Sequence, residues 1–179
     1  MRFIRLWHLI AFQCLILIGM FLKAYYPLWI GQEVVLPVVP QDPRDMFRGN
    51  YVSLNYAFST IRLDTFPNNL QKDKTYHFGD ALYVQLKKQG QLHLPTGLYE
   101  KCPEGSLCLR VTPTYAYTHT TYSNIYLQAG IESYFTNREQ AEKLEQFTSS
   151  TSGDSVRIYV AAKIAPNGTA RISKLMIQQ

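Results

Sequence analysis

Residues 40–56 read PQDPRDMFRGNYVSLNY and place a turn, a charged cluster and a strand in one short stretch. Asp42-Pro43 predicts the turn, because proline fixes its own φ and excludes the preceding residue from the helical region. Alternating charges then flank one aromatic side chain, in the order Arg44, Asp45, Phe47 and Arg48. Gly49-Asn50 can supply a residue with positive φ, and Tyr51 to Phe58 alternates as a strand. The stretch therefore predicts a strand that is entered through a specialised loop.

This loop is rich in special residue types, whereas most loops tolerate almost any sequence, so the combination suggests a function. We predict that the segment binds a partner protein. The residues assigned to this contact are Asp42, Pro43, Arg44, Asp45, Phe47, Arg48, Gly49, Asn50, Tyr51, Leu54 and Tyr56. The alternative is structural: Arg44 and Asp45 pair only to fix the strand entry, since structural ion pairs resemble functional ones.

The same stretch resembles the signature of the GDYXXLXY family, Gly-Asp-Tyr-x-x-Leu-x-Tyr. The matching residues are Gly49, Tyr51, Leu54 and Tyr56, with Asn50 where the family has aspartate. A second, weaker match is the stretch 130–135, GIESYF. The resemblance covers most of the chain after the N-terminal segment. It implies a membrane-anchored bacterial envelope protein, often encoded beside multi-span membrane proteins, and it brings no enzymatic activity with it.

The N-terminal segment predicts a single membrane anchor. Leu6 to Leu22 is apolar apart from His8, Gln13 and small residues, and a helix over this run is about 25 Å long. Gln13 is the better candidate for meeting a partner helix, because His8 lies near the start of the span. Aromatic residues typical of a membrane interface follow, namely Tyr25, Tyr26 and Trp29. Pro27 predicts that the helix ends or kinks there.

Charge asymmetry predicts the orientation of this anchor. Arg2 and Arg5 precede the span, so we expect a cytoplasmic N-terminus in the bacterial inner membrane and an exported, periplasmic remainder. Residues 1–30 are then the anchor, in contact with membrane lipid, and residues 31–179 are the exported domain. The alternative is a cleaved signal peptide, for which Leu22-Lys23-Ala24 is a poor cleavage site.

The exported part predicts a mainly β, antiparallel domain with one helix (α+β), barrel-like or sandwich-like. Two-residue alternation marks its strands, at 33–38, 51–58, 81–88, 106–112, 123–129, 155–164 and 169–177, with a short return strand at 91–94. Pro166-Asn167-Gly168 predicts the hairpin between the last two strands. Helical spacing and a capping pattern predict the helix over 137–147.

Cys102 and Cys108 flank a five-residue loop, and in an oxidising compartment this predicts a structural disulfide. A zinc site or a catalytic redox pair is the alternative, although the spacing suits neither. We expect no metal and no cofactor. The net charge of +5 arises from scattered basic residues, so we expect no nucleic-acid partner.

These features predict a non-catalytic accessory or assembly protein that binds a larger envelope or multi-span membrane partner. One alternative is a glycan- or lipid-binding module that uses the aromatic residues between Tyr115 and Tyr126. Another is a hydrolase with an unrecognised site or a degenerate signal-peptidase-like domain, for which Ser53 is poorly placed inside the signature strand.

Overall fold

One long helix and thirteen short strands make up the described part of the chain. The computed structural model describes residues 2–39, 47–48, 51–71, 73–118, 124–135 and 157–178. Helix α1 covers Arg2–Ile30. The strands are β1 (Gln32–Pro37), β2 (Phe47–Arg48), β3 (Tyr51–Ser53), β4 (Thr60–Arg62), β5 (Thr75–Tyr76), β6 (Leu82–Gln89), β7 (Leu92–Tyr99), β8 (Leu107–Pro113), β9 (Tyr117–Thr118), β10 (Asn124–Gln128), β11 (Ser133–Phe135), β12 (Arg157–Ile164) and β13 (Ala170–Gln178).

The strands pair antiparallel and form a half-barrel, as the sequence predicts. The larger sheets have the orders β4-β10-β8-β6-β7, β1-β12-β13 and β11-β3-β2, and β5 pairs with β9. The Val35 N–H of β1 donates to Nδ1 of His93 in β7 over 3.2 Å, which joins the first two sheets. The α+β class is therefore confirmed, with one N-terminal helix in front of the sheets.

Alternating burial along the strands builds one core. In β10 the side chains of Ile125 and Leu127 are buried while their neighbours are exposed, because successive side chains of a strand point to opposite faces. The largest fully buried side chains come from all parts of the domain: Tyr76, Phe58, Leu36, Leu82, Leu98, Leu109, Ile125, Leu127, Ile131, Val34 and Val84.

The hairpin of β12 and β13 turns where the Asn-Gly pair predicts. The Gly168 N–H donates to the Ala165 carbonyl over 2.8 Å, and Gly168 adopts a φ of +84° that suits glycine. Its carbonyl accepts the Arg110 N–H of β8 over 2.8 Å. The tip of the hairpin is therefore attached to the five-stranded sheet.

Two strand predictions are wrong in length. The predicted strand over 51–58 ends at Ser53, because the Asn55 and Ser59 side chains accept the Tyr56 N–H and local side-chain bonds of this kind compete with strand pairing. The predicted short return over 91–94 is instead the eight-residue β7. Pro95 is tolerated there because β7 is an edge strand with an irregular register beside Leu86.

The helix predictions have two different outcomes. Helix α1 continues through Pro27 to Ile30, so it does not end at Pro27, and the alternative of a kink there stays a prediction. The Gly31 N–H donates to the Pro27 carbonyl over 2.9 Å and completes the last turn. The predicted helix over 137–147 lies outside the described residues.

Candidate functional site

The predicted contact segment is described only in part. Asp42, Pro43, Arg44, Asp45, Gly49 and Asn50 lie outside the described residues. Phe47 and Arg48 form β2 and pair with Val52 and Tyr51 of β3, and only their backbone is described. Structural information on this segment therefore comes from the described residues on either side of it.

Leu54 and Tyr56 of the signature are core residues. Both are almost completely buried. The Tyr56 hydroxyl donates to the Ile131 carbonyl over 2.8 Å, and its ring stacks on Phe58 with 4.9 Å between centroids. Burial, followed by the nearby charge of Glu132, raises the pKa of the Tyr56 phenol well above its usual range. Leu54 and Tyr56 therefore do not offer their side chains to a partner, and we remove them from the proposed contact surface.

The second family-like stretch packs directly on the first. Strand β11 pairs with β3, and the Leu54 N–H donates to the Glu132 carbonyl over 2.7 Å. The Glu132 carboxylate in turn accepts the N–H groups of Ala129 and Gly130, which fixes the turn before β11. We call the stretch 51–59 together with 129–135 the signature unit; it is one structural unit built from two distant parts of the chain.

The signature unit also holds both ends of the predicted contact segment. Val38 pairs with Tyr56, and the Val39 N–H donates to the Asn55 carbonyl over 2.8 Å. Strand β3, at the other end, lies between β11 and β2. Val39 and Tyr51, which flank the stretch 40–50, are therefore both attached to the signature unit.

The end of α1 is attached to the β12–β13 hairpin. The Lys163 Nζ donates to the Leu28 carbonyl over 2.9 Å, which satisfies one of the last free carbonyls of the helix and places a cation at its negative end. Gly31 leaves no room for a side chain, because a Cβ there would collide with the Pro27 carbonyl oxygen of the last helical turn. The same Cβ would also lie 3.0 Å from the Cβ of Lys163. We call this contact the helix–hairpin junction.

From Trp7 to Ile30 the helix is long and apolar enough to cross a membrane. A signal sequence near an N-terminus has the same length and composition. Gln13, Leu22, Tyr25, Tyr26 and Trp29 are exposed on it, and the side chain of Leu6 is not described. Phe21 stacks on Tyr25 with 4.3 Å between centroids, and Tyr25 lies 6.3 Å from Trp29. The i, i+4 spacing places these three rings in one aromatic stripe.

The predicted disulfide is present. Cys102 and Cys108 are bonded, with 5.9 Å between their Cα atoms. The bond closes the loop between β7 and β8 next to the hairpin tip, and Gly105 and Pro166 line the same hollow. The disulfide therefore lies close to the helix–hairpin junction, since Ile30 at the end of α1 lines the same hollow. Cys14 is a free, exposed thiol on α1.

An exposed aromatic pair lies on another face of the domain. Tyr115 and Tyr126 are 71% and 50% exposed, and their rings meet edge to face with 6.4 Å between centroids. Together with Asn124 they line a hollow of about 250 Å³. His119 and the rest of the stretch 119–123 lie outside the described residues. The hollow combines aromatic faces with one amide, which suits a small polar ring.

The described titratable groups form one further network. The buried Tyr76 donates to Glu100 over 2.6 Å, and the Lys74 Nζ donates to the same carboxylate oxygen over 2.9 Å. Burial, followed by this hydrogen bond, raises the pKa of Tyr76 to about 12, and the same bond lowers the pKa of Glu100. These groups hydrogen-bond one another, and the bonds connect β5 with the end of β7.

Among the described residues, no group of three His, Cys, Asp or Glu side chains comes together to hold a metal ion. Among the same described residues, the Ser53 hydroxyl of β3 forms no hydrogen bond with a lysine or a histidine. The described residues therefore include three candidate surfaces: the aromatic stripe, the tyrosine hollow and the helix–hairpin junction. For the predicted contact segment 40–50 they give only the attachment of its flanking residues to the signature unit.

An N-terminal apolar helix followed by an antiparallel half-barrel defines the class of protein. The chain belongs to the GDYXXLXY protein family, which it matches over residues 13–175. No curated protein and no solved structure matches it. The family assignment thus agrees with the resemblance seen in Gly49, Tyr51, Leu54 and Tyr56.

Sequence reasoning missed the helix–hairpin junction. Lys163 and Leu28, whose hydrogen bond defines it, carry no motif. The Asn-Gly pair predicts the turn. Its position beside the end of α1 depends on the register of β1 with β12, which the sequence does not indicate.

Proposed function

We propose that this protein is a non-catalytic, membrane-anchored accessory subunit that binds a larger membrane partner. In this proposal α1 spans the bacterial inner membrane with a cytoplasmic N-terminus, and the half-barrel lies in the periplasm. The segment 40–50 is its main contact, with the aromatic stripe of α1 as a second.

The anchoring of segment 40–50 on the signature unit is the observation that carries this proposal. The residues that flank it are held in place: the Val39 N–H donates to the Asn55 carbonyl, and β3 pairs with β11. Fixed flanks reduce the conformational entropy that binding must remove. Arginine and aromatic side chains dominate the binding energy of protein interfaces. Nine residues from Ile30 to Val39 span at most about 32 Å, so the segment stays near the membrane surface.

The helix–hairpin junction supports the same proposal. The Lys163–Leu28 hydrogen bond and the close approach at Gly31 fix the domain relative to the helix. A partner that contacts both the stripe and the segment then meets one preorganised body, which lowers the entropic cost of binding.

A pull-down of the full-length protein from its native membrane in mild detergent tests this function. The test variant is Arg44→Ala/Phe47→Ala. The matched control is Arg62→Ala/Phe78→Ala, which removes an exposed arginine and an exposed phenylalanine elsewhere. We expect one multi-span membrane protein to co-purify with the wild type and the control and to be lost from the test variant, with circular dichroism showing that all three fold. Retention by the test variant, or no partner at all, contradicts the proposal.

The tyrosine hollow favours a second candidate function, a module that binds glycan. Exposed tyrosine rings offer flat apolar faces to sugar rings, and Asn124 offers hydrogen bonds. We expect the full-length protein to bind purified envelope polysaccharide and Tyr115→Ala to weaken that binding about tenfold, the equivalent of one lost aromatic contact. Phe78→Ala, which removes another exposed ring, is the control. Equal binding by both variants would show that the tyrosine hollow is not a glycan-binding site.

A further inference from the structure

A cleft lies between α1 and the β12–β13 hairpin at the helix–hairpin junction. Its volume is about 580 Å³. The helix contributes an apolar wall with one cation, and the hairpin contributes a polar wall with another. The lining residues are Met20, Leu22, Lys23, Ala24, Tyr26 and Pro27 from α1 and Asn167, Thr169 and Arg171 from the hairpin.

The helical side of the cleft is one face of α1. Met20, Lys23, Ala24 and Pro27 follow the i, i+3, i+4, i+7 spacing that aligns side chains along a helix. The aromatic stripe at Phe21, Tyr25 and Trp29 lies on a different face. The hairpin therefore approaches a different face of the helix from the stripe, and Met20 and Lys23 on that face remain exposed.

Two uncompensated cations lie in this cleft. Neither Lys23 nor Arg171 forms an ion pair or a hydrogen bond with another residue in the described ranges. Asn167 accepts the Thr169 N–H through Oδ1 over 3.0 Å, which leaves its Nδ2 group as a further donor. The polar wall thus offers donors and positive charge, which complement a phosphodiester.

The position of the cleft along α1 matches the surface of a bilayer. Lys23 is the first charged residue after the apolar run that starts at Leu6, and it lies about 10 Å along the helix axis before Ile30. Tyr25, Tyr26 and Trp29 follow, as expected of residues at head-group depth. A hairpin tip that reaches Lys23 therefore reaches the head groups.

The hairpin is held in place for this role. Gly168 at its tip accepts the Arg110 N–H, and a Cβ at position 168 would lie 3.0 Å from Arg110. The disulfide loop lines the hollow on the other side of the same tip. The backbone of the hairpin tip, which carries the polar wall, is therefore attached to the five-stranded sheet through Arg110.

We propose that this cleft binds one anionic phospholipid, with the phosphodiester at Lys23 and Arg171 and an acyl chain along Met20 and Ala24. The lipid would fill the space between helix and hairpin and fix the domain on the membrane surface. The inference shares with the proposed function only the membrane anchoring, and it requires no partner protein.

Native mass spectrometry of the delipidated full-length protein in neutral detergent tests the proposal. The probes are phosphatidylglycerol and phosphatidylcholine with identical acyl chains, and glycerophosphoglycerol as the soluble head group. We expect one retained phosphatidylglycerol, no retained phosphatidylcholine, and no competition by equimolar head group. Equal retention of the two lipids, or full displacement by the soluble head group, overturns the proposal.

Variants locate the lipid. Lys23→Gln/Arg171→Gln is expected to lower phosphatidylglycerol retention by more than tenfold, since each cation near an anionic surface contributes roughly fivefold. Lys87→Gln/Lys174→Gln removes two exposed lysines outside the cleft and is expected to leave retention unchanged. Ala24→Leu narrows the apolar wall without changing charge and should also lower retention. Equal retention by the test and control double variants overturns the site. Because no partner is present, this result is independent of the pull-down.

Discussion

The signature unit and the helix–hairpin junction differ in the direction that their side chains face. In the signature unit, Leu54 and Tyr56 turn inward, and their hydrogen bonds to Glu132 and Ile131 tie two distant stretches together. At the junction, the polar side chains of the hairpin remain outside, where Asn167 and Arg171 are exposed. One region builds the core, and the other builds a surface.

This difference teaches where a recognisable motif acts. The family signature of this chain lies over residues whose described side chains are buried, so it marks a folding requirement. The residues that face the membrane in our proposal belong to no motif, and they come together only because β12 pairs with β1 beside the end of α1. Segment 40–50 stands between the two cases, since its flanking residues are attached to the signature unit and its charges define our proposed contact.

The largest expected effect tests the core side of this comparison. Tyr56→Ala removes a buried, stacked ring and should lower the free energy of unfolding by about 3–5 kcal/mol. Tyr56→Phe removes only the hydroxyl that satisfies the Ile131 carbonyl and should cost about 1–2 kcal/mol. Chemical denaturation of the full-length protein in mild detergent, followed by circular dichroism, measures both changes.

Tyr126→Ala is the matched control, because it removes a half-exposed tyrosine from β10. We expect it to change the free energy of unfolding by less than about 1 kcal/mol. If Tyr56→Ala is no more destabilising than this control, the signature tyrosine is not a core residue and returns to the contact surface.

The β architecture followed from the sequence because alternation reports burial directly. The strands β6, β8, β10, β12 and β13 begin and end within two residues of their predicted limits among the described residues. The errors lie where side chains replaced backbone pairing. Asn55 and Ser59 ended a strand early, and an irregular register at Pro95 let an edge strand continue. Two-residue alternation contains no signal for either feature.

The candidate site was predictable only in its local parts. The disulfide followed from Cys102 and Cys108 with their spacing and compartment, and the hairpin followed from Asn167-Gly168. The burial of Leu54 was not predictable, because the pairing of β3 with β11 joins residues about eighty positions apart. The cleft at Lys23 and Arg171 was likewise invisible, since it depends on the register between distant strands.

A smaller effect is expected at the hairpin tip. Gly168→Ala places a side chain at a φ of +84° and about 3.0 Å from Arg110. The backbone conformation costs an L-residue about 1–2 kcal/mol, and the crowding adds about 1–3 kcal/mol. The matched control is Gly90→Ala, which has a φ of +62° and no atom within 4 Å of the added Cβ.

The comparison of these two variants tests the packing of the tip, because both place an alanine at a positive φ and only Gly168→Ala adds a close contact. We expect Gly168→Ala to be the more destabilising in denaturation and also to lower phosphatidylglycerol retention, whereas Gly90→Ala should retain the lipid. Equal free energies of unfolding for the two variants would show that the contact with Arg110 does not hold the tip.

The smallest effect lies between the two regions, where β1 meets β7. Burial, followed by the charge of Lys88 on the neighbouring strand, lowers the pKa of His93, and its Nδ1 needs a free lone pair to accept the Val35 N–H. The unfolded chain has the ordinary histidine pKa of about 6.5, so between the two pKa values it binds more protons than the folded protein. The stabilising contribution is therefore complete above about pH 6.5 and is lost as the pH falls towards the lower, folded value.

Denaturation midpoints at pH 7.5, 6.5 and 5.5 should decline for the wild type and for His77→Gln, which alters an exposed histidine, and should decline less for His93→Gln. Parallel declines in all three proteins would mean that the joint between the two sheets does not depend on a neutral His93.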